Sequence, residues 1–201
     1  MQKFQITVIG FAFAAILLIP TTTESSYGQS APSGTITAST LNIGEHGTKN
    51  GGDCSQVGTW VETTLGPEGG TCTLSADIQI TGNGVGLNLA SSRVMLDGTG
   101  HTIMGSQTSS SNHIGVKTCN QCHTMGVKNL TIKNFGWGIA SNYATGLIVT
   151  GTTIENVGSY AIKFFGVDGL KFESNNISVL GLYNYFINTE LLRLDYQTLK
   201  K

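Results

Sequence analysis

Charge is scarce in this chain of 201 residues: Lys, Arg, Asp and Glu together make up 11% of it, and the net charge is −1. Lys and Arg do not cluster, so the chain has no general attraction for nucleic acid or an anionic membrane surface. Proline is also rare, at 3, while glycine reaches 27, so this is a turn-rich globular composition with room for one domain. The body of the chain lacks any i, i+3, i+4, i+7 apolar run long enough for a helix. It also lacks an apolar run of the roughly 20 residues that span a bilayer, since the longest is residues 6–19.

What the chain has is a period. Met125, Leu147 and Leu170 are followed two places on by Val127, Val149 and Phe172, and seven places on by Ile132, Ile154 and Ile177. An earlier copy pairs Leu96 with Ile103. The small-then-aliphatic pairs Gly86-Leu87, Gly115-Val116, Gly138-Ile139 and Ala161-Ile162 keep step with these rows. Self-similarity at 22 or 23 residues marks a solenoid. The short apolar pairs spaced by two and broken by Gly and Asn make its units β-strands, and the fixed leucine pattern of leucine-rich repeats is not present. A coil of parallel strands stacks equivalent side chains into columns about 4.8 Å apart. Leu96, Met125, Leu147 and Leu170 are therefore expected one over another inside.

The segment Leu96-Asp97-Gly98-Thr99-Gly100-His101-Thr102-Ile103-Met104-Gly105, followed by VKNLTIKNF, GTTIENV and SNNISVL, resembles the right-handed parallel β-helix of pectate-lyase-like proteins. Within that fold it is most similar to secreted prokaryotic members of the carbohydrate-binding and sugar-hydrolase repeat group. The resemblance covers residues 54–185 and implies an all-β, right-handed coil of about five turns. The shared residues are turn and column builders, so the resemblance bears on fold more than on activity.

Lys3, the apolar residues 6–19 and the polar stretch after Pro20 read as an export signal over residues 1–30, with an uncleaved membrane anchor as the alternative. Residues 31–52 read as a flexible leader, 53–73 as an N-terminal cap and 74–185 as the coil. Residues 186–201 read as a C-terminal cap or truncated tail whose residues 190–201 form a short helix. Export to the cell surface or beyond permits disulfides. A Cys54–Cys72 bridge would hold the cap, which is expected to carry a short N-terminal capping helix, with Trp60-Val61-Glu62-Thr63-Thr64-Leu65 as a short amphipathic piece lying across the open first turn.

Cys119-Asn120-Gln121-Cys122-His123 has three readings. A turn disulfide between Cys119 and Cys122 comes first. A zinc or copper site from Cys119, Cys122, His123 and His113 comes second. Attachment of c-type haem comes third, although the connection has no added segment to wrap a porphyrin.

Trp137, Tyr160 and Tyr183 share one column, whose earlier members are Val85 and Ile114. Val85 and Ile114 are apolar and each lies two places before an aliphatic residue, so the column reads first as interior and second as a sugar-stacking platform. Phe164 and Phe165 follow as a further sugar-binding patch. Asn134 and Asn156 suggest a ladder of side-chain amides, and His101 reads as a corner residue satisfied by backbone. Asn129 and Asn176 head glycosylation sequons.

Lyases of this fold need acidic calcium ligands with a basic residue, and glycosidases need converging carboxylates. Asp77, Asp97, Glu155, Asp168 and Glu173 form no stacked pair in the sequence register. The sequence is thus read as an exported, non-catalytic protein, without cofactor, that binds a polysaccharide, glycoconjugate or other envelope component. The alternatives are an incomplete polysaccharide lyase or hydrolase and a copper-handling periplasmic β-helix.

Overall fold

A computed structural model describes residues 34–45, 48–63, 69–106, 112–178 and 186–188. The described chain is all-β apart from two single helical turns, and it forms three sheets of six strands each. The first sheet stacks Ile36–Ala38, Ile78–Ile80, Thr102–Met104, Thr131–Lys133, Thr153–Glu155 and Asn176–Ser178. The second stacks Gly58–Glu62, Gly70–Leu74, Val94–Asp97, Gly126–Lys128, Ile148–Thr150 and Lys171–Glu173. Leu41–Ile43, Val85–Leu89, Ile114–Thr118, Trp137–Asn142, Tyr160–Phe165 and Phe186–Asn188 make the third. From residue 70 onward, successive strands visit the second, first and third sheets in turn, so each circuit of three lies against the one before. Every neighbouring pair is parallel except Gly58–Glu62 with Gly70–Leu74.

Columns of like side chains fill the interior. On the first sheet Ile78, Ile103, Ile132, Ile154 and Ile177 lie in register and are buried. Each such burial is worth about 1.5–3 kcal/mol relative to exposure, and the β-branched side chain suits the pleated wall. On the third sheet the small-then-aliphatic pairs break the alternation of a strand. Leu87, Val116, Ile139 and Ile162 are buried, yet the residue before each also faces inward. A Cβ on Gly115 would lie 2.5 Å from Ile132 Cγ2, and one on Gly138 2.7 Å from Ile154 Cγ2. Two consecutive inward positions leave room at the first of them only for Gly or Ala.

Several expectations need correction. Leu96 aligns with Val127, Val149 and Phe172, not with Met125, because the turn from Asp97 to Thr102 is two residues longer than the one from Lys128 to Thr131. Met125, Leu147 and Leu170 continue the column of Val94, and all four are buried. Residues 36–43 are not a flexible leader. Ile36–Ala38 pairs with Ile78–Ile80, Leu41–Ile43 pairs with Val85–Leu89, and the alternating Leu41 and Ile43 fill the third sheet's interior. The coil therefore does not begin at residue 74.

The cap differs as well. Its helix is the single turn Cys54–Val57. Trp60, Val61 and Glu62 belong to an extended strand that runs antiparallel along Gly70–Leu74 and occupies the edge of the second sheet. Trp and Val favour that extended state, and an antiparallel strand satisfies the edge N–H and C=O groups that an amphipathic helix would leave open. Cys54 and Cys72 are joined across this cap, and both are fully buried. Residues 186–188 are likewise a strand, paired with residues 163–165, rather than tail. The export segment and the helix at residues 190–201 lie outside the described residues.

The corner after the second sheet carries a polar knot. Asp97 accepts hydrogen bonds from the Thr99 N–H and the Asn129 amide, and Lys128 Nζ lies 3.0 Å from its other oxygen. Burial pushes the Asp97 carboxyl up, but the Lys128 hydrogen bond, the Thr99 and Asn129 donors and the Lys128 charge outweigh it and hold the group below its ordinary range. A carboxyl so depressed adds stability above its unfolded value of about 3.9 and loses it as pH falls through the folded value. Asp97→Asn is expected to cost about 0.5–1 kcal/mol at neutral pH, with the gap to wild type closing below pH ~4. Urea unfolding across a pH series measures it, and a gap independent of pH would assign the loss to something other than the charge.

Candidate functional site

The bend in the third sheet decides which way its aromatics point. Because both Gly138 and Ile139 turn inward, Trp137 leaves the interior, and the same holds for Tyr160 before Ala161 and Ile162. Trp137 and Tyr160 are in register and half-buried, with ring centroids 5.8 Å apart in an edge-to-face arrangement. The interior reading of this column is therefore corrected: alternation was assumed where the strand breaks it. Tyr183 lies outside the described residues.

Lys163 shares this outer surface. Its Nζ sits 3.8 Å from the Trp137 ring centroid and 5.6 Å from that of Tyr160. Lys163 aligns with Ala140 one circuit earlier, and that small side chain leaves room for the lysine to reach the indole. The indole N–H is enclosed and has no acceptor among the described residues.

A second aromatic pair lies at the far end of the same strands. Phe165 is 40% exposed and Tyr143 50%, and their rings meet edge to face at 5.0 Å. Tyr143 stands at the turn after Trp137–Asn142 with φ of 53°, and its ring lies over Gly166, where a Cβ would come within 2.5 Å of it. Any other residue at 166 would push this ring aside. Phe164 is fully buried, so it belongs to the interior and not to a sugar-binding surface. Sequence reading named Phe165 but missed Tyr143; the one available signal was an aromatic residue 22 positions before it.

The outer row of the third sheet reads Asn42, Asn88, Lys117, Ala140 and Lys163, and no strand of this sheet carries Asp or Glu. The other two sheets mix signs. Register sets Asp97 beside Lys128 and Glu155 beside Lys133, while Glu173 pairs with Lys171. These three carboxylates thus neighbour lysines rather than one another.

Asn134, Asn156 and His101 bond within the fold. Asn134 and Asn156 both adopt left-handed backbone, which Asn tolerates, and the Asn156 amide donates to Asn134 Oδ1. His101 bonds Asp77 at 3.2 Å rather than backbone alone. The Thr102 N–H holds the Asp77 carboxyl below its ordinary range; burial opposes it, and the His101 hydrogen bond and the charges of His101 and Lys133 add to the lowering. Asn129 is exposed, with its amide turned to Asp97, and Asn176 is exposed on its strand. Two buried polar groups escaped sequence reading. Thr118 donates to Ser141, and Asn175 accepts from the Thr152 N–H and donates to the Val149 carbonyl.

Cys119 and Cys122 are bonded to each other. In that state neither offers a thiolate to zinc or copper or a thiol to a haem vinyl group. His113 is buried against Phe135, whereas His123 is exposed on the turn. Two disulfides fit an oxidising, extracytoplasmic setting. Comparison with protein-family models, curated proteins and solved structures found no match.

Proposed function

We propose that this chain is an exported, right-handed parallel β-helix of the pectate-lyase-like kind that binds carbohydrate, without catalysis, through the outer face of its third sheet. Right-handedness follows the strong rule for parallel crossover connections, and the strand order supplies the parallel circuits. The observation that carries the binding reading is the set Trp137, Tyr160, Tyr143 and Phe165 on one outer face in adjacent circuits. Rings at both ends of a strand whose residues 160 and 165 span up to about 16 Å suit an extended oligosaccharide.

The apolar C–H faces of sugar rings cover such aromatic surfaces, while Lys163 between the two pairs and Asn142 beside Phe165 bond hydroxyls. Lys163 must swing off the indole for a ring to stack there, so the ammonium changes partner rather than losing one. Secretion or cell-surface display places the protein where such polymers occur.

A glycan array with titration calorimetry tests this. Trp137→Ala should weaken the best glycan about 10–30-fold, and Phe165→Ala should weaken it several-fold, as expected of aromatic anchors. Val61→Ser, an exposed change on the second sheet, should leave affinity unchanged. Folded protein that binds no glycan, or binding indifferent to Trp137, would end the proposal.

A further inference from the structure

The two disulfides differ in what the fold asks of them. Cys54 and Cys72 have no exposure and tie the cap to the core across 18 positions. Cys119 and Cys122 are half-buried, flanked by exposed Asn120, Gln121 and His123, and close a loop of sequence separation 3. So short a loop removes the least freedom from the unfolded chain.

The turn that holds them is fixed without the sulfurs. The Cys119 N–H donates to the Leu89 carbonyl, Arg93 N–H to that of His123 and Thr145 N–H to that of Cys122, while Thr124 N–H donates to the Thr145 carbonyl. The His123 N–H is further held by Ser92 Oγ. Position 123 bridges to Thr145, and Thr145 to Asp168, so the next two circuits build the corresponding turn with no cross-link at all. A bond that is reachable by solvent and unnecessary to its own turn is free to open.

We propose that the Cys119–Cys122 disulfide is a thiol–disulfide exchange site that takes two electrons from a partner protein's dithiol. Cys119 Sγ rests 3.7 Å from the sulfur of buried Met125, which directs attack to Cys122 Sγ. The partner thiolate bonds to Cys122 Sγ, the S–S bond breaks, and Cys119 departs as a thiolate that takes up a proton. The partner's second thiol, losing its proton, then displaces Cys122, leaving a disulfide on the partner and two thiols here.

The test uses the full oxidised chain in graded mixtures of reduced and oxidised glutathione, quenched by alkylation, with each cysteine pair read by peptide mass. The Cys119–Cys122 pair should open in mixtures where Cys54–Cys72 stays closed, with the far-ultraviolet circular dichroism unchanged. One equivalent of oxidised protein should oxidise a reduced synthetic dithiol peptide at least about 10-fold faster than oxidised glutathione at equal concentration. The Cys119→Ala, Cys122→Ala double variant should lose this reaction. The proposal fails if both pairs open together, if the Cys119–Cys122 pair resists every mixture, if opening it unfolds the chain, or if the peptide gains no rate. None of these readouts depends on glycan binding.

Discussion

Phe135→Ala is expected to lower the unfolding free energy by about 3–5 kcal/mol, the range for removing a fully buried aromatic ring. Phe135 has no exposed surface and stacks obliquely on His113 at 4.7 Å. Its ring also occupies space that three glycines leave empty. A Cβ on Gly105 would approach it to 2.8 Å, one on Gly115 to 3.2 Å and one on Gly86 to 3.5 Å. With the ring gone those positions have no side chain to move into the gap, so relaxation is poor and the cavity persists. Phe135→Leu keeps most of the volume and should cost about 1–1.5 kcal/mol. Chemical denaturation of the three proteins measures the series, and a loss under 1 kcal/mol for the alanine variant would show that this corner collapses.

Replacing Cys54 and Cys72 together by alanine is expected to cost about 3 kcal/mol through unfolded-chain entropy alone. Cys72 also stands in the column of Leu96, Val127, Val149 and Phe172, so its sulfur is part of the packed wall. The loss should appear as a shift of the denaturation midpoint, and it should exceed the cost of the Cys119→Ala, Cys122→Ala pair. Equal costs would mean that the cap closes independently of its cross-link.

Columns were the legible part of this sequence, because parallel stacking sets like residues at a fixed period. The rows ending in Ile177 and Ala161 could be read directly, including the small residues whose steric reason appears only in three dimensions. Phase was harder. Thr99 and Gly100 lengthen one turn by two residues, and since a strand's side-chain period is also two, Leu96 still faced inward and the slip left no sign in the pattern. The strands at residues 36–38 and 41–43 are too short to carry a period of their own, and only their partners identify them.

The aromatic surface was misjudged for a different reason. Parity arguments hold while a strand alternates, and the double inward step at Gly138 and Ile139 inverts the facing of everything before it. Once that step is known, Trp137 and Tyr160 follow. Tyr143 sits beyond it in turn geometry, where its left-handed backbone and the underlying Gly166 set its ring against Phe165, the last residue of its strand, and strand parity does not apply.

The lengthened turn at Thr99 and Gly100 shows where this fold absorbs a change of length. Extra residues there leave the isoleucine stack of the first sheet undisturbed, from Ile78 through Ile177. Corners of such a protein can take extra residues without shifting its walls, because only the inward columns are bound to a fixed shape.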